Sequence, residues 1–436
     1  MHNPTHTPSP PLSRRDFVRG SAAAGAALAT FGAPTFLRAA DSPHERIRVG
    51  VMGVNGRGLQ LSKEFAELEG AEVAYVCDVD RLALDKATAA VTEKQSRAPQ
   101  AVADFRKILD DPAVDALVIA APDHWHAPAT ILACAAGKHV YVEKPASHNP
   151  REGEFMLDAA RKHQRVVQVG TQRRSGPAIR EAIERVHRGE IGPVRFARCW
   201  INSTRPTIGR GQEVTPPSHL DYTLWQGPAP DRPYKDNLIH YNWHWFWNWG
   251  TGELGNNGVH GLDLARWGMQ VTHPTRVVAT GAKLFFDDDQ ETPDTQLATF
   301  HFGDKIITWE HRTWHKRGFE GSSFGAEFYG DNGALVIGSG DYAIFEMDGK
   351  ERHRAPVTIG EIEHQQDFCD RIRDGGRPHC DVEDGVASAL LCHLGNIAYR
   401  TGRTVQCDPA TGRIRDDQEQ MALWQREYRP GWEPQV

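Results

Sequence analysis

The stretch Ile47-Arg48-Val49-Gly50-Val51-Met52-Gly53-Val54-Asn55-Gly56-Arg57-Gly58 decides the fold. Its first six residues read as a short strand rich in β-branched side chains. Residues 53–58 form a glycine-rich turn, and residues 59–68 then follow helical periodicity. A strand that passes through such a turn into a helix brings free backbone N–H groups and the positive end of a helix dipole to one point, which suits a pyrophosphate. Gly53 and Gly58 fit the outer positions of the dinucleotide fingerprint G-x-G-x-x-G. Asn55 holds the middle position, where its tolerance of positive φ keeps the turn feasible. Gly56 leaves room for the anion, and Arg57 completes the loop.

The next strand, residues 72–77, ends at Asp78, 25 residues beyond Gly53. A carboxylate there accepts hydrogen bonds from ribose hydroxyls and repels a 2′-phosphate, so NAD is expected. Arg81 nearby leaves NADP open. Further apolar strands at 116–120, 139–142 and 166–169 alternate with helices, which implies a parallel sheet covered on both faces. Residues 45–170 therefore read as an α/β Rossmann domain. Residues 171–436 read as an α+β domain with a large, mostly antiparallel sheet, since alternating strands with short turns run from 276 to 337. Residues 202–250 read as a long structured loop, and the tail after Asp408 as a surface arm.

Composition narrows the function. With 39% hydrophobic and 25% charged residues, the chain reads as a soluble globular protein. A formal charge of −7 gives no pull toward nucleic acid or anionic lipid. Seven cysteines form no CxxC pair, so no disulfide framework is expected. His124 with His126, and His311 with His315, lack acidic or cysteine partners at ligand spacing, and no metal is expected. Residues 1–40 read as a signal peptide: Ser13-Arg14-Arg15-Asp16-Phe17-Val18-Arg19 resembles the twin-arginine export motif, ahead of an Ala/Gly-rich stretch. A periplasmic or otherwise exported protein that meets the twin-arginine translocase is expected. The competing reading is a disordered tail on a cytoplasmic enzyme. No hydrophobic run is long enough to span a bilayer.

Two segments carry candidate chemistry. Glu143-Lys144-Pro145 follows the strand at 139–142, and strand C-termini line the ligand crevice of a parallel sheet. Lys144 would sit beside a cationic nicotinamide, which disfavours its own charge. In Gly255-Asn256-Asn257-Gly258-Val259-His260-Gly261-Leu262-Asp263, helical spacing puts Asn256, His260 and Asp263 on one face. A histidine among polar neighbours suits acid–base work near neutral pH. Trp243, Trp245, Trp247 and Trp249 recur at every second residue; extended, they would make a platform for a sugar ring, and otherwise they pack the loop. Arg173, Arg174, His240, His244 and Trp245 are the polar and aromatic candidates for substrate contact.

The glycine turn, Ala121-Pro122-Asp123-His124-Trp125-His126, the Glu-Lys-Pro triplet and the 256–263 segment occur in an order that resembles the Gfo/Idh/MocA oxidoreductases. The resemblance covers roughly residues 45–408. It implies a Rossmann domain followed by an open-faced α/β sheet domain, action on sugars or polyols, and pairing through the open sheet into homodimers or homotetramers. It also implies that Lys144 and His260 are catalytic, and that Pro122, His126 and Glu143 lie by the nicotinamide. Many family members carry Asp four residues before the His, where this chain has Asn256. Outside the cytoplasm no nicotinamide pool recycles the cofactor, so a tightly held one is expected. Three functions fit: hydride transfer to or from a ring hydroxyl of a sugar, polyol or glycoside; a redox-neutral glycosidase or epimerase acting through a transient keto-sugar; and a non-enzymatic sugar sensor.

Overall fold

The structure, a computed structural model, describes residues 46–436. β1 (Ile47–Met52) is buried along its length except at Arg48, as befits a strand covered on both faces. It pairs in parallel with β2 (Ala71–Cys77) on one side and β4 (Ala116–Ile119) on the other. With β3 (Gln100–Val102), β5 (His139–Val142) and β6 (Val167–Val169) they form a six-stranded sheet ordered β3-β2-β1-β4-β5-β6. Strand order reverses between β1 and β4, so the loops that leave these strands part and open a crevice at their C-terminal ends. Helices α1 (Arg57–Glu67), α2 (Arg81–Thr92), α3 (Asp123–Ala135) and α4 (Pro150–His163) make the crossovers. The Asp80 carboxylate accepts from the Leu82 amide and caps α2; Asn149 does the same for α4 through the Glu152 amide.

The second sheet is built on a different burial pattern. Along β10 (Lys305–Arg312), Ile307, Trp309 and His311 are buried while Thr308, Glu310 and Arg312 are half-exposed. That alternation marks a sheet with one covered face. Its other strands are β7 (Val194–Asn202), β8 (Arg276–Ala282), β9 (Thr295–Phe302), β11 (Phe324–Gly330), β12 (Gly333–Ile337), β13 (Asp341–Phe345), β14 (Glu351–Pro356) and β15 (Val405–Gln406). The order of the nine strands is β14-β13-β12-β11-β7-β10-β9-β8-β15, and every neighbouring pair but β7 with β10 is antiparallel. Helices α5 (Pro177–His187), α6 (Val259–Met269) and α8 (Val382–Thr401) cover one face, where Ile183, Leu262 and Leu394 join Phe300, Trp309 and Phe328 in one core. The opposite face is open and exposes Phe196, Val278, Leu297 and Tyr329. The expected architecture, a Rossmann sheet followed by an open-faced, mostly antiparallel one, is the one observed.

Two C-terminal segments return to the first sheet, which their sequence did not announce. Helix α7 (Glu361–Asp374) lays Phe368 and Cys369 into the core beside Phe65 and Tyr141. The Phe368 ring meets Tyr141 edge-on at 5.8 Å. The tail after Asp408 is anchored, not a free arm: Trp424 is buried, the Arg426 guanidinium sits 2.9 Å from Glu152, and Trp432 packs edge-on against Trp125. Because Phe368 is fully enclosed between α1 and the sheet, Phe368→Ala is expected to cost about 3 kcal/mol or more in chemical denaturation. A loss below about 1 kcal/mol would show α7 to be dispensable to that core.

Candidate active site

The crevice at the ends of β1, β4 and β5 is a cleft of about 520 Å³. Its floor is the glycine turn. Gly53 adopts φ +83, and a Cβ there would lie 2.6 Å from the Ala121 amide nitrogen, so this position admits glycine alone. A Cβ on Gly58 would lie 1.9 Å from the Gly53 carbonyl oxygen, which is the close helix–strand approach the third glycine serves. Gly56 faces open space, and no side chain caps α1. Asn55 lines the cleft but is not among the residues at positive φ, so only Gly53 uses that freedom within the turn. The Asp78 carboxylate accepts from the Val54 amide at 2.7 Å and the Asp80 amide at 3.0 Å, which ties the end of β2 to the turn. Burial raises the Asp78 pKa above the usual carboxylate value.

These features fit a nicotinamide dinucleotide. The uncapped helix start and the open side of Gly56 offer an anion cradle, and Asp78 offers acceptors where a ribose would lie.

The wall above the turn is a set of matched charges. Arg57 donates to Glu143 at 2.8 Å and to Glu361 at 2.6 Å. Glu143 also accepts from Gln172 at 2.9 Å, and the missing side chain of Gly170 leaves the space it occupies. Lys144 is tied down: its Nζ donates to the Asn256 carbonyl at 2.7 Å and to Asn256 Oδ1 at 3.1 Å. Burial lowers the Lys144 pKa. His126 Nδ1 and Nε2 face the carbonyls of Pro145 at 2.6 Å and Ala121 at 2.8 Å, so this ring joins the loops after β4 and β5. Pro122 lies on the same rim.

Opposite stands the segment that carries Asn256 and His260. Leu254–Gly258 is one π-helical turn running into α6, a distortion that concentrates at functional sites. Both side chains line the cleft with Lys144. His260 Nδ1 is buried without a partner, and burial, with Lys144, Arg173 and Arg57 nearby, holds the imidazole well below its usual pKa. Asp263 was expected on the same face and is not in the cleft. Three residues on, Asp263 stands about 60° around the helix from His260 and about 4.5 Å farther along it. That carries Asp263 to Arg174, which grips it two-pronged at 2.8 to 3.1 Å, while Ser388 donates at 2.7 Å. This buried pair bolts α6 to the first sheet.

The tryptophan series does not form an extended platform. Asn242–Trp245 is a 3-10 turn, so alternate residues point to different sides. Trp243 and Trp249 pack a small core with Trp225. Trp245, expected to contact substrate, is buried against Tyr241 and under Arg205, outside the cleft. His244 and Arg173 do line the cleft, as does His240, which also bonds Asp80 at 2.8 Å. Arg174 is spent on Asp263.

Sequence reading missed Asp123, Gln172, Tyr241 and Glu361, all of which line the cleft. Asp123 was within reach, for it lies inside the motif at 121–126; its carboxylate accepts from Thr251 at 2.6 Å. Nothing local marks Glu361, which arrives with α7 some 300 residues after the turn it serves.

Residues 47–171 match the family model described as oxidoreductase family, NAD-binding Rossmann fold, and residues 204–316 the one described as oxidoreductase family, C-terminal alpha/beta domain. The chain belongs to the Gfo/Idh/MocA oxidoreductase family. Residues 11–31 match the twin-arginine translocation signal, which marks the chain for export by that pathway; this segment lies outside the described residues. A glycosyl hydrolase family 109 protein of Saccharopolyspora erythraea is 34% identical over 221 residues, 46% of this chain and 48% of that protein. An alpha-N-acetylgalactosaminidase of Shewanella oneidensis is 33% identical over 126 residues, 28% of this chain and 27% of that one. The chain thus spans half or less of the length of these relatives. Levoglucosan dehydrogenase, solved with NADH and levoglucosan, shares the fold at TM-score 0.66 and 19% identity, over 83% of this chain and 99% of that one.

Burial leaves other imidazoles of this chain neutral as well. His124 and His393 are pushed down to about 3 and His364 to about 4. In the unfolded chain they take up protons near 6.5. The unfolded state therefore binds more protons between about 6.5 and 3, and stability falls as pH drops through that window. The melting temperature is expected to decline steadily from pH 7 to pH 4.5. A flat profile would mean these rings are not buried as neutral species.

Proposed function

We propose that the protein transfers hydride to or from a hydroxyl-bearing carbon of a sugar, polyol or glycoside, with the nicotinamide held tightly in the cleft. One observation carries this reading: the half-buried Lys144 ammonium and the His260 ring, which no protein group engages, line the same cleft as the glycine turn. A bound nicotinamide supplies the two-electron acceptor or donor. The chain's own groups handle the proton. An ammonium has three N–H donors, and Asn256 takes two from Lys144, which leaves one for a substrate oxygen. His260, held neutral, accepts the hydroxyl proton in oxidation and returns it in reduction. NAD is the proposed form, because a 2′-phosphate would meet the Asp78 carboxylate while Arg81 lies exposed at the start of α2.

The second reading is a redox-neutral glycosidase, in which the sugar is oxidised and re-reduced within one turnover. The glycosyl hydrolase relatives favour it, and so does Asn256, which binds a hydroxyl or an ammonium without charge of its own.

The absorbance spectrum of the purified protein, with sugars added and no free nucleotide, tests both. A growing reduced-nicotinamide band supports net oxidation by a retained cofactor; glycoside cleavage without such a band supports the second reading. A protein that purifies without nucleotide and acts on no sugar would refute both. Lys144→Ala and His260→Ala are each expected to lower kcat by about 10² to 10⁴ while the melting temperature stays near that of the parent. Full activity in both variants would overturn the site.

A further inference from the structure

Among the charged groups around the cleft, Arg173 is the one that nothing accepts from. Arg57 lies between Glu143 and Glu361, Lys144 is tied to Asn256, and Arg174 grips Asp263. Among the described residues no hydrogen bond or ion pair engages the Arg173 guanidinium, and its Nη1 is buried without a partner. The group is stacked over the Phe324 ring at 4.1 Å. Stacking fixes the plane of a guanidinium and leaves its N–H edge free. Glu361 draws it electrostatically, but that carboxylate is held by Arg57. Burial pulls the Arg173 pKa down to about 10, still far above neutrality, so the group remains charged.

Arg173 is half-buried, with Nη1 shut off from solvent, so its remaining N–H groups are the edge that a ligand could complete. The cofactor's pyrophosphate is badly placed to do so. Arg173 follows β6, three strands from β1, which is about 14 Å across the sheet from the glycine turn. It lines the same cleft as His260 and lies close enough to help hold that imidazole neutral, beside the group proposed to act on the sugar.

We propose that Arg173 receives an oxyanion carried by the substrate, so that the preferred sugar is an acidic one. A carboxylate matches the planar two-pronged edge of a guanidinium best, which makes a hexuronic acid the first candidate. A phosphate or sulfate ester offers the same oxyanion chemistry. This inference rests on the proposed sugar-directed activity and names its substrate class.

The test is calorimetric titration of the nucleotide-loaded protein with glucuronate and galacturonate against glucose and galactose, with glucose 6-phosphate and galactose 6-sulfate as further arms. The uronates are expected to bind at least tenfold tighter than their neutral parents, and Arg173→Gln to bring that ratio to near one. Arg173→Lys, which keeps the charge but loses the two-pronged edge, is expected to fall between. A preference confined to the phosphate or sulfate ester and lost in Arg173→Gln keeps the oxyanion site and assigns it to the ester. Equal affinity for acidic and neutral sugars, or a preference that survives Arg173→Gln with the fold intact by circular dichroism, would overturn the proposal. Binding ratios are read independently of cofactor reduction. Sugar-dependent reduction without an acidic preference therefore sinks this inference alone. An acidic preference without reduction or cleavage sinks the proposed activity alone.

Discussion

Buried charge has to be matched atom by atom, and the meeting of the two sheets is built from such matches. Arg57 brings the glycine turn, the end of β5 and the start of α7 to one guanidinium through Glu143 and Glu361. Arg174 and Asp263 lock the loop after β6 to α6, with Ser388 of α8 as a third member. Lys144 reaches across to the backbone and side chain of Asn256. Removing one member of the Arg174–Asp263 pair leaves the other charged, buried and alone, at a cost of several kcal/mol. Surface ion pairs elsewhere in the chain carry no comparable penalty. The position of α6 against the first sheet, and with it the position of His260, follows from these few contacts.

The same matching governs the chemistry. His260 is surrounded by Lys144, Arg173 and Arg57 in a desolvated setting, so it stays neutral and able to take a proton. Lys144 is half-buried and desolvated as well, yet nearby carboxylates and the Asn256 oxygens offset part of what desolvation takes away. Asp78 is enclosed and anchored by two backbone amides, which fixes the turn that would receive a dinucleotide. Within this arrangement the free edge of Arg173 is the exception. It is at this group that the proposed oxyanion selectivity would concentrate.

Much of the fold was legible in the chain itself. Gly53 and Gly58 sit where the turn requires them, the apolar runs at 47–52, 116–119 and 139–142 are parallel strands, and the open-faced second sheet follows from alternating segments such as 305–312. Lys144, His260 and Asn256, singled out by motif and spacing, do converge. Other readings failed where spacing alone was asked to settle direction. Asp263 shares the helix of His260 but faces Arg174, and the alternate tryptophans are broken up by a 3-10 turn.

Local stereochemistry and hydrophobic period act over a few residues, so the sequence by itself determined the turn, the strands, the helices and the motif residues at strand ends. Only the tertiary structure decided which distant side chains complete the cleft. Glu361 reaches Arg57 because Phe368 needs the apolar cover of Phe65 and Tyr141, and the tail reaches Glu152 because Arg426 needs a carboxylate. Such choices depend on burial and on charge pairing across hundreds of residues, and neither leaves a periodic trace in the chain.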